Sequence, residues 1–215
     1  MKGSMKKLVV FVVITVIAPF IMADIASPWQ HSIRGKYAYT GETTCLFSPS
    51  GFNANLQPNA GWGVIQTYSR EGVFRFEHNG TGSADIFSRG VALPFQILPN
   101  GPSFPPNAVT QDITFDFTYT LKKDGTITII VDPGTFISTQ LKGPDAGRIF
   151  IIEGVLTDVV DVITPQLMDG AITPNGKTIT LNSGAPDVYK ITRIDAPGTN
   201  YSICHSSAVL IRQHE

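Results

Sequence analysis

Residues Asp112–Leu141 read DITFDFTYTLKKDGTITIIVDPGTFISTQL. Ile113, Phe115, Phe117, Tyr119 and Leu121 fall on every second position, with Asp112, Thr114, Asp116, Thr118, Thr120 and Lys122 between them. In an extended chain successive side chains point to opposite faces, so this spacing makes one apolar face and one solvated face. Lys123-Asp124-Gly125 carries tight-turn chemistry, and Thr126–Val131 opens a second β-branched run. Pro133-Gly134 punctuates again before Thr135–Leu141. The expectation is a meander of three antiparallel strands joined by short turns.

The same grammar extends both ways. Gly35–Phe47 reads as the first strand, with Tyr37, Tyr39, Thr43 and Cys45 on one face. Ser48–Ala60 is a Pro/Asn/Gly loop, and Trp62–His78 is a strand region expected to bulge near Glu71-Gly72. Asn79-Gly80 is the strongest hairpin signal and leads into Gly82–Leu93. Pro94–Asn107 holds five prolines in 14 residues, which predicts an irregular crossover or lid. Downstream, Arg148–Thr157 is a strand, and Asp158–Met168 reads either as its continuation or as a helical turn. Gly170–Leu181 holds a hairpin around Thr173-Pro174-Asn175-Gly176. A last hairpin joins Val188–Ile194 to Tyr201–Arg212 across Asp195–Gly198. No repeat of fixed period is present. The fold class predicted is all-β, a mainly antiparallel up-and-down meander closing into a barrel of about 8–10 strands.

The two cysteines, Cys45 and Cys204, set the closure. An exported chain with two cysteines most often pairs them. If they face each other in antiparallel strands, Gly41 meets Ala208, Tyr39 meets Leu210 and Thr43 meets Ser206. The first and last strands then become neighbours, and the sheet loses its open edges.

Met1–Ala23 has the form of a secretory signal peptide: Lys2, Lys6 and Lys7, an apolar run from Leu8, then small Ala23. Its apolar stretch is interrupted by Pro19 and falls short of the ~20 residues of a spanning helix. Residues 24–33 read as a flexible lead-in, and 34–215 as one β-barrel domain, secreted or periplasmic and outside the membrane once the leader is cleaved. Of 16 basic residues three leave with the leader, so 13 remain against 17 acidic, a net charge of −4. That balance argues against nucleic acid or an anionic membrane surface as a partner. An outer-membrane barrel needs a lipid-facing apolar band with aromatic girdles. The Thr, Asp and Lys faces do not supply one.

The stretches GKYAYTGETTCLFSPSGFNANLQPN (35–59) and ICHSSAVLI (203–211) are similar to a group of uncharacterised exported bacterial β-barrel proteins. The succession of hairpins resembles lipocalin-like and allene-oxide-cyclase or dirigent-type barrels, although the Gly-X-Trp lipocalin signature is missing from the first strand. The first resemblance implies export and carries no activity. The second implies architecture alone.

Catalytic signals are sparse. There is no Gly-X-Ser-X-Gly elbow, His-Glu-X-X-His, P-loop or dinucleotide fingerprint, and no cofactor or metal is expected. His78 and His205 read as a turn residue and a strand residue rather than as metal ligands. Asp112 and Asp116 read as part of a solvated strand face. Aromatics are the positive hint: Tyr37, Tyr39, Phe115, Phe117 and Tyr119 are the expected lining of an interior that holds a small apolar or aromatic ligand. Two other readings stay open, a surface or envelope module acting through loops such as Ser48–Ala60, and a cyclase- or isomerase-type enzyme.

Overall fold

A computed structural model describes residues 33–96, 105–156, 163–183, 188–194 and 199–214. The proposed leader and nearly all of the lead-in lie outside these residues. The period-two segments form strands, and among the described residues there is no helix. In chain order they are β1 (Gly35–Ser48), β2 (Trp62–Phe76), β3 (Thr81–Gln96), β4 (Asn107–Leu121), β5 (Thr126–Val131) and β6 (Ile137–Lys142). Then come β7 (Ile149–Leu156), β8 (Ile163–Thr164), β9 (Leu167–Ile172), β10 (Thr178–Asn182), β11 (Val188–Arg193) and β12 (Thr199–Arg212). All twelve belong to one antiparallel sheet.

The sheet closes. β1 pairs β12 over Tyr37↔Arg212 to Ser48↔Tyr201, and Tyr39↔Leu210, Gly41↔Ala208, Thr43↔Ser206 and Cys45↔Cys204 stand opposite each other as the sequence suggested. The Cys45–Cys204 disulfide crosses this seam, with Cα atoms 4.1 Å apart. Around the ring the order is β1, β2, β3, β4, β5, β9, β10, β12 and back to β1, eight strands in all.

The sequence suggested that β6 doubles back on β5, and here the structure differs. β5 and β6 both run antiparallel to β4, end to end along its same edge. At Asp132–Phe136 the chain jogs instead of reversing. The Asp132 amide donates to the Asp116 carbonyl at 2.9 Å, and the Thr135 hydroxyl donates to the Asp132 carbonyl at 2.8 Å. Gly134 takes a positive φ of 77° that a side chain would resist.

β10 and β11 repeat this arrangement, lying end to end along β12, and β7 and β9 do so between them. A second closed route therefore exists: β1, β2, β3, β4, β6, β7, β11, β12. The molecule is an up-and-down ring of eight wall positions. Five are single strands of 14 to 16 residues (β1, β2, β3, β4 and β12), and three are broken midway.

Two smaller expectations are also corrected. β2 runs through Glu71-Gly72 without a register shift. Gly72 is there for close approach: a Cβ would sit 2.2 Å from the Asp85 carbonyl oxygen. Pro94 lies within β3, facing Val64 of β2. The β3–β4 pairing ends at Ala92↔Asn107, so β3 is an edge at Pro94 and the missing N–H costs no ladder bond. Residues 97–104 of the proline-rich crossover, 157–162 of the stretch read as strand or helical turn, and 195–198 of the last turn lie outside the described residues.

The half built with β5, β9 and β10 is solid. Tyr37, Phe74, Phe76, Phe117, Ile127, Ile129, Ile179 and Leu210 are buried on its inward face. Phe74 is the hub, with ring centroids 5.2 Å from Tyr39, 5.7 Å from Phe115 and 5.5 Å from Phe117. Small residues opposite the rings make room. A Cβ on Gly82 would lie 2.3 Å from the Phe117 ring. Two of the phenol hydroxyls are satisfied: Tyr37 donates to the Gly176 carbonyl at 2.6 Å and Tyr119 to the Glu77 carbonyl at 2.7 Å.

Burial pushes the Tyr37 and Tyr68 phenols from 10.0 up to about 12, and raises Tyr39 and Tyr119 as well. The folded chain thus keeps phenolic protons that the unfolded chain releases near pH 10. The stability tied to them is complete below pH 10 and is lost as pH rises through about 12. Denaturant midpoints measured in steps across this window should fall, with tyrosinate absorbance rising in the same transition. Tyrosinate forming freely near pH 10 in a still-folded chain would contradict the burial of these rings.

Candidate ligand-binding cavity

The other half, built with β6, β7 and β11, is hollow. A cavity of about 580 Å³ lies inside it, within the range that holds a small organic molecule. Its walls follow from the inward frame of the long strands. Counting back by twos from Phe76 along β2 reaches Phe74, Gly72, Arg70, Tyr68, Gln66 and Val64. The last four line the cavity. Ala92 on β3, Val109 on β4, Phe150 and Ile152 on β7 and Ile191 on β11 supply apolar wall. The Cys45–Cys204 disulfide forms part of the same wall. Ser48, Pro49, Trp62, Pro94, Pro105 and Pro144 also line it.

The floor is one transverse row. The ladders place Gly41 beside Arg70, Arg70 beside Ser88, Ser88 beside Gln111, and Gln111 beside Gln140. On the solid side the next row is Tyr39, Gly72, Ile86, Ile113 and Ser138. The polar row lies at the base of the cavity through Arg70, Gln111 and Gln140, and Ile113 and Ser138 of the next row still border it. The Arg70 guanidinium lies 5.5 Å from the centroid of the Tyr68 ring and is hydrogen-bonded to Tyr39. Its charge draws both phenols back against the larger upward push of burial. The Tyr68 hydroxyl donates to Gln66, and Gln111 is bonded to Tyr68 in turn.

Among the described lining residues only Arg70 and Asp145 are charged, and Asp145 is engaged by Arg148. No histidine lines the cavity among them. A second, much smaller pocket of about 40 Å³ lies at the level of the strand breaks, with Arg70 and Phe136 shared between the two.

The five aromatics expected to line an interior are all buried, but in the solid half. None of them borders the large cavity, while Tyr39 and Phe115 border the small pocket. Gln66, Arg70, Gln111 and Gln140 escaped the sequence reading. For Gln66, Arg70 and Gln111 a signal was present, since each is a polar residue in a mainly apolar inward frame, whereas on β6 the apolar Ile137 and Leu141 face outward and hid Gln140.

The remaining candidates face outward. His78 and His205 are exposed, as are Asp112 and Asp116. Glu153 is ion-paired with Lys190 at 2.9 Å and bonded to Thr192, which together hold its carboxyl below the usual range. Among the described residues no group of three or more His, Cys, Asp or Glu could hold a metal. The loop after β1 is ordered by Asn53, whose side-chain oxygen accepts from the Asn55 and Gln57 amides at 2.9 and 3.0 Å. Comparisons with protein-family models, curated proteins and solved structures find no match to this chain.

Proposed function

We propose that the chain is an exported, non-catalytic β-barrel that carries a small apolar or aromatic molecule in its hollow half. The observation that carries this reading is the 580 Å³ cavity inside the closed ring, walled mainly by apolar side chains. Burying apolar ligand surface there is favourable by about 25 cal/mol per Å² before the costs of association. A binder is favoured over a cyclase or isomerase because the described lining residues offer no histidine, and their single carboxylate, Asp145, is already paired. The disulfide across the seam fits an oxidising compartment, which supports export.

Ala92 offers a test, because it lines the cavity within the small buried cluster of Tyr68, Ala92 and Val109 and lies outside the main packed core. Ala92→Phe should fill the void. Nile red added to the native protein should brighten and shift to the blue, and its affinity for the Ala92→Phe variant should fall about tenfold or more, ~1.4 kcal/mol. Near-ultraviolet circular dichroism should remain native. Equal Nile red binding by a folded Ala92→Phe variant would place the dye on the outer surface and remove the carrier reading.

A further inference from the structure

Among the described residues five buried side-chain atoms have no hydrogen-bond partner: Arg70 Nε, Ser88 Oγ, Ser138 Oγ, Gln140 Nε2 and Gln166 Oε1, the last on the small pocket that Arg70 also borders. Arg70, Ser88 and Gln140 lie on the transverse row, and Ser138 lies on the adjacent one. Ser88, Ser138 and Gln140 are 0%, 7% and 5% exposed. Two of the five atoms are N–H donors that can do nothing else, two are hydroxyls free to donate, and one is an acceptor. Unsatisfied buried donors are costly, at roughly 1–3 kcal/mol each, so a native fold that keeps several in one place needs a reason.

Charge points the same way. No ion pair joins Arg70 to a carboxylate among the described residues, and the one carboxylate lining the cavity belongs to Arg148. A half-buried cation that lines the cavity and has no carboxylate partner is the complement of an oxyanion.

We infer that the floor receives the carboxylate of an amphiphile whose apolar body fills the hollow half. This rests on the carrier reading and names its ligand class. Arg70, the one cavity-lining charge without an ion pair among the described residues, meets the carboxylate, and the Gln111 and Gln140 side chains stand beside it along the floor. The apolar body lies along Val64, Ala92, Val109 and Ile152 toward the mouth.

The experiment compares dodecanoate with its methyl ester on the native protein, on Arg70→Met and on Gln140→Leu, by calorimetry and by displacement of Nile red. Dodecanoate should bind the native protein about tenfold or more tightly than the ester, a preference of ~1.4 kcal/mol. Arg70→Met should erase that preference by weakening dodecanoate alone, and Gln140→Leu should reduce it. Arg70→Lys keeps the charge without the planar fork and should restore part of it. Removing the unpaired cation should leave Arg70→Met folded, which near-ultraviolet circular dichroism checks. Gln140→Leu provides an independent reading if Arg70→Met fails to fold.

Equal binding of acid and ester by the native protein overturns the head-group assignment while the carrier reading stands. A preference that survives in both folded Arg70→Met and Gln140→Leu overturns it equally. Binding of neither compound overturns both.

Discussion

Replacing Phe74 with alanine should cost about 3–5 kcal/mol of unfolding free energy, the range for truncating a fully buried aromatic. Phe74 is 0% exposed and touches three rings contributed by two other strands, Tyr39 of β1 and Phe115 and Phe117 of β4, besides Phe76 on its own strand. Rings packed against one another in this way resist collapse into the void, so the cavity persists and its cost adds to the lost transfer energy. In a domain of this size the melting temperature should drop by about 6–20 °C. Thr114→Ala, on the exposed face of β4, is the control and should stay within about 0.5 kcal/mol. Chemical denaturation followed by circular dichroism measures both. A loss under about 1 kcal/mol at Phe74 would mean that the solid half is not solid.

Breaking the disulfide is the second large effect. Cys45 and Cys204 are separated by 159 positions, so their bond closes almost the whole described chain into one loop. The chain-entropy model assigns about 5 kcal/mol to such a loop, and removal of native disulfides from exported domains spans about 2–5 kcal/mol. The Cys45→Ala/Cys204→Ala double variant should therefore lose about 2–5 kcal/mol in denaturant titrations. It should nevertheless keep its fold, because the β1–β12 ladder runs from Tyr37↔Arg212 to Ser48↔Tyr201 and does not depend on the sulfurs. The native protein with reductant added should approach the variant's midpoint. A variant as stable as the native chain would show that the ladder alone defines the closure.

The closure was legible in the sequence because it depended on local patterns that agree with each other. The two cysteines, the small residues at Gly41 and Ala208 and the alternation around Tyr39 and Leu210 allow one register. The hairpins at Asn79-Gly80 and Asn175-Gly176 were legible for a similar reason. Gly80 and Gly176 take positive φ angles of 79° and 65° that their turns require. Pro133-Gly134 was not legible. The same dipeptide serves a reversal and a jog, and only the long-range choice of β4 as partner for both flanking strands decides between them.

The position of the cavity was hidden for a related reason. Tyr37, Phe117 and Tyr119 were visible as inward aromatics, but which inward residues share a level depends on the registers of several strands at once. Arg70 and Gln140 are 70 positions apart and become members of one row only through β3 and β4.

The three broken wall positions separate two tasks. The packed end draws its cohesion from β5, β9 and β10, and the hollow end takes its girth from β6, β7 and β11. Substitutions in that second trio reshape the chamber without entering the plug that keeps the molecule folded. Such a chain can alter the shape of its chamber while its foundation stays fixed.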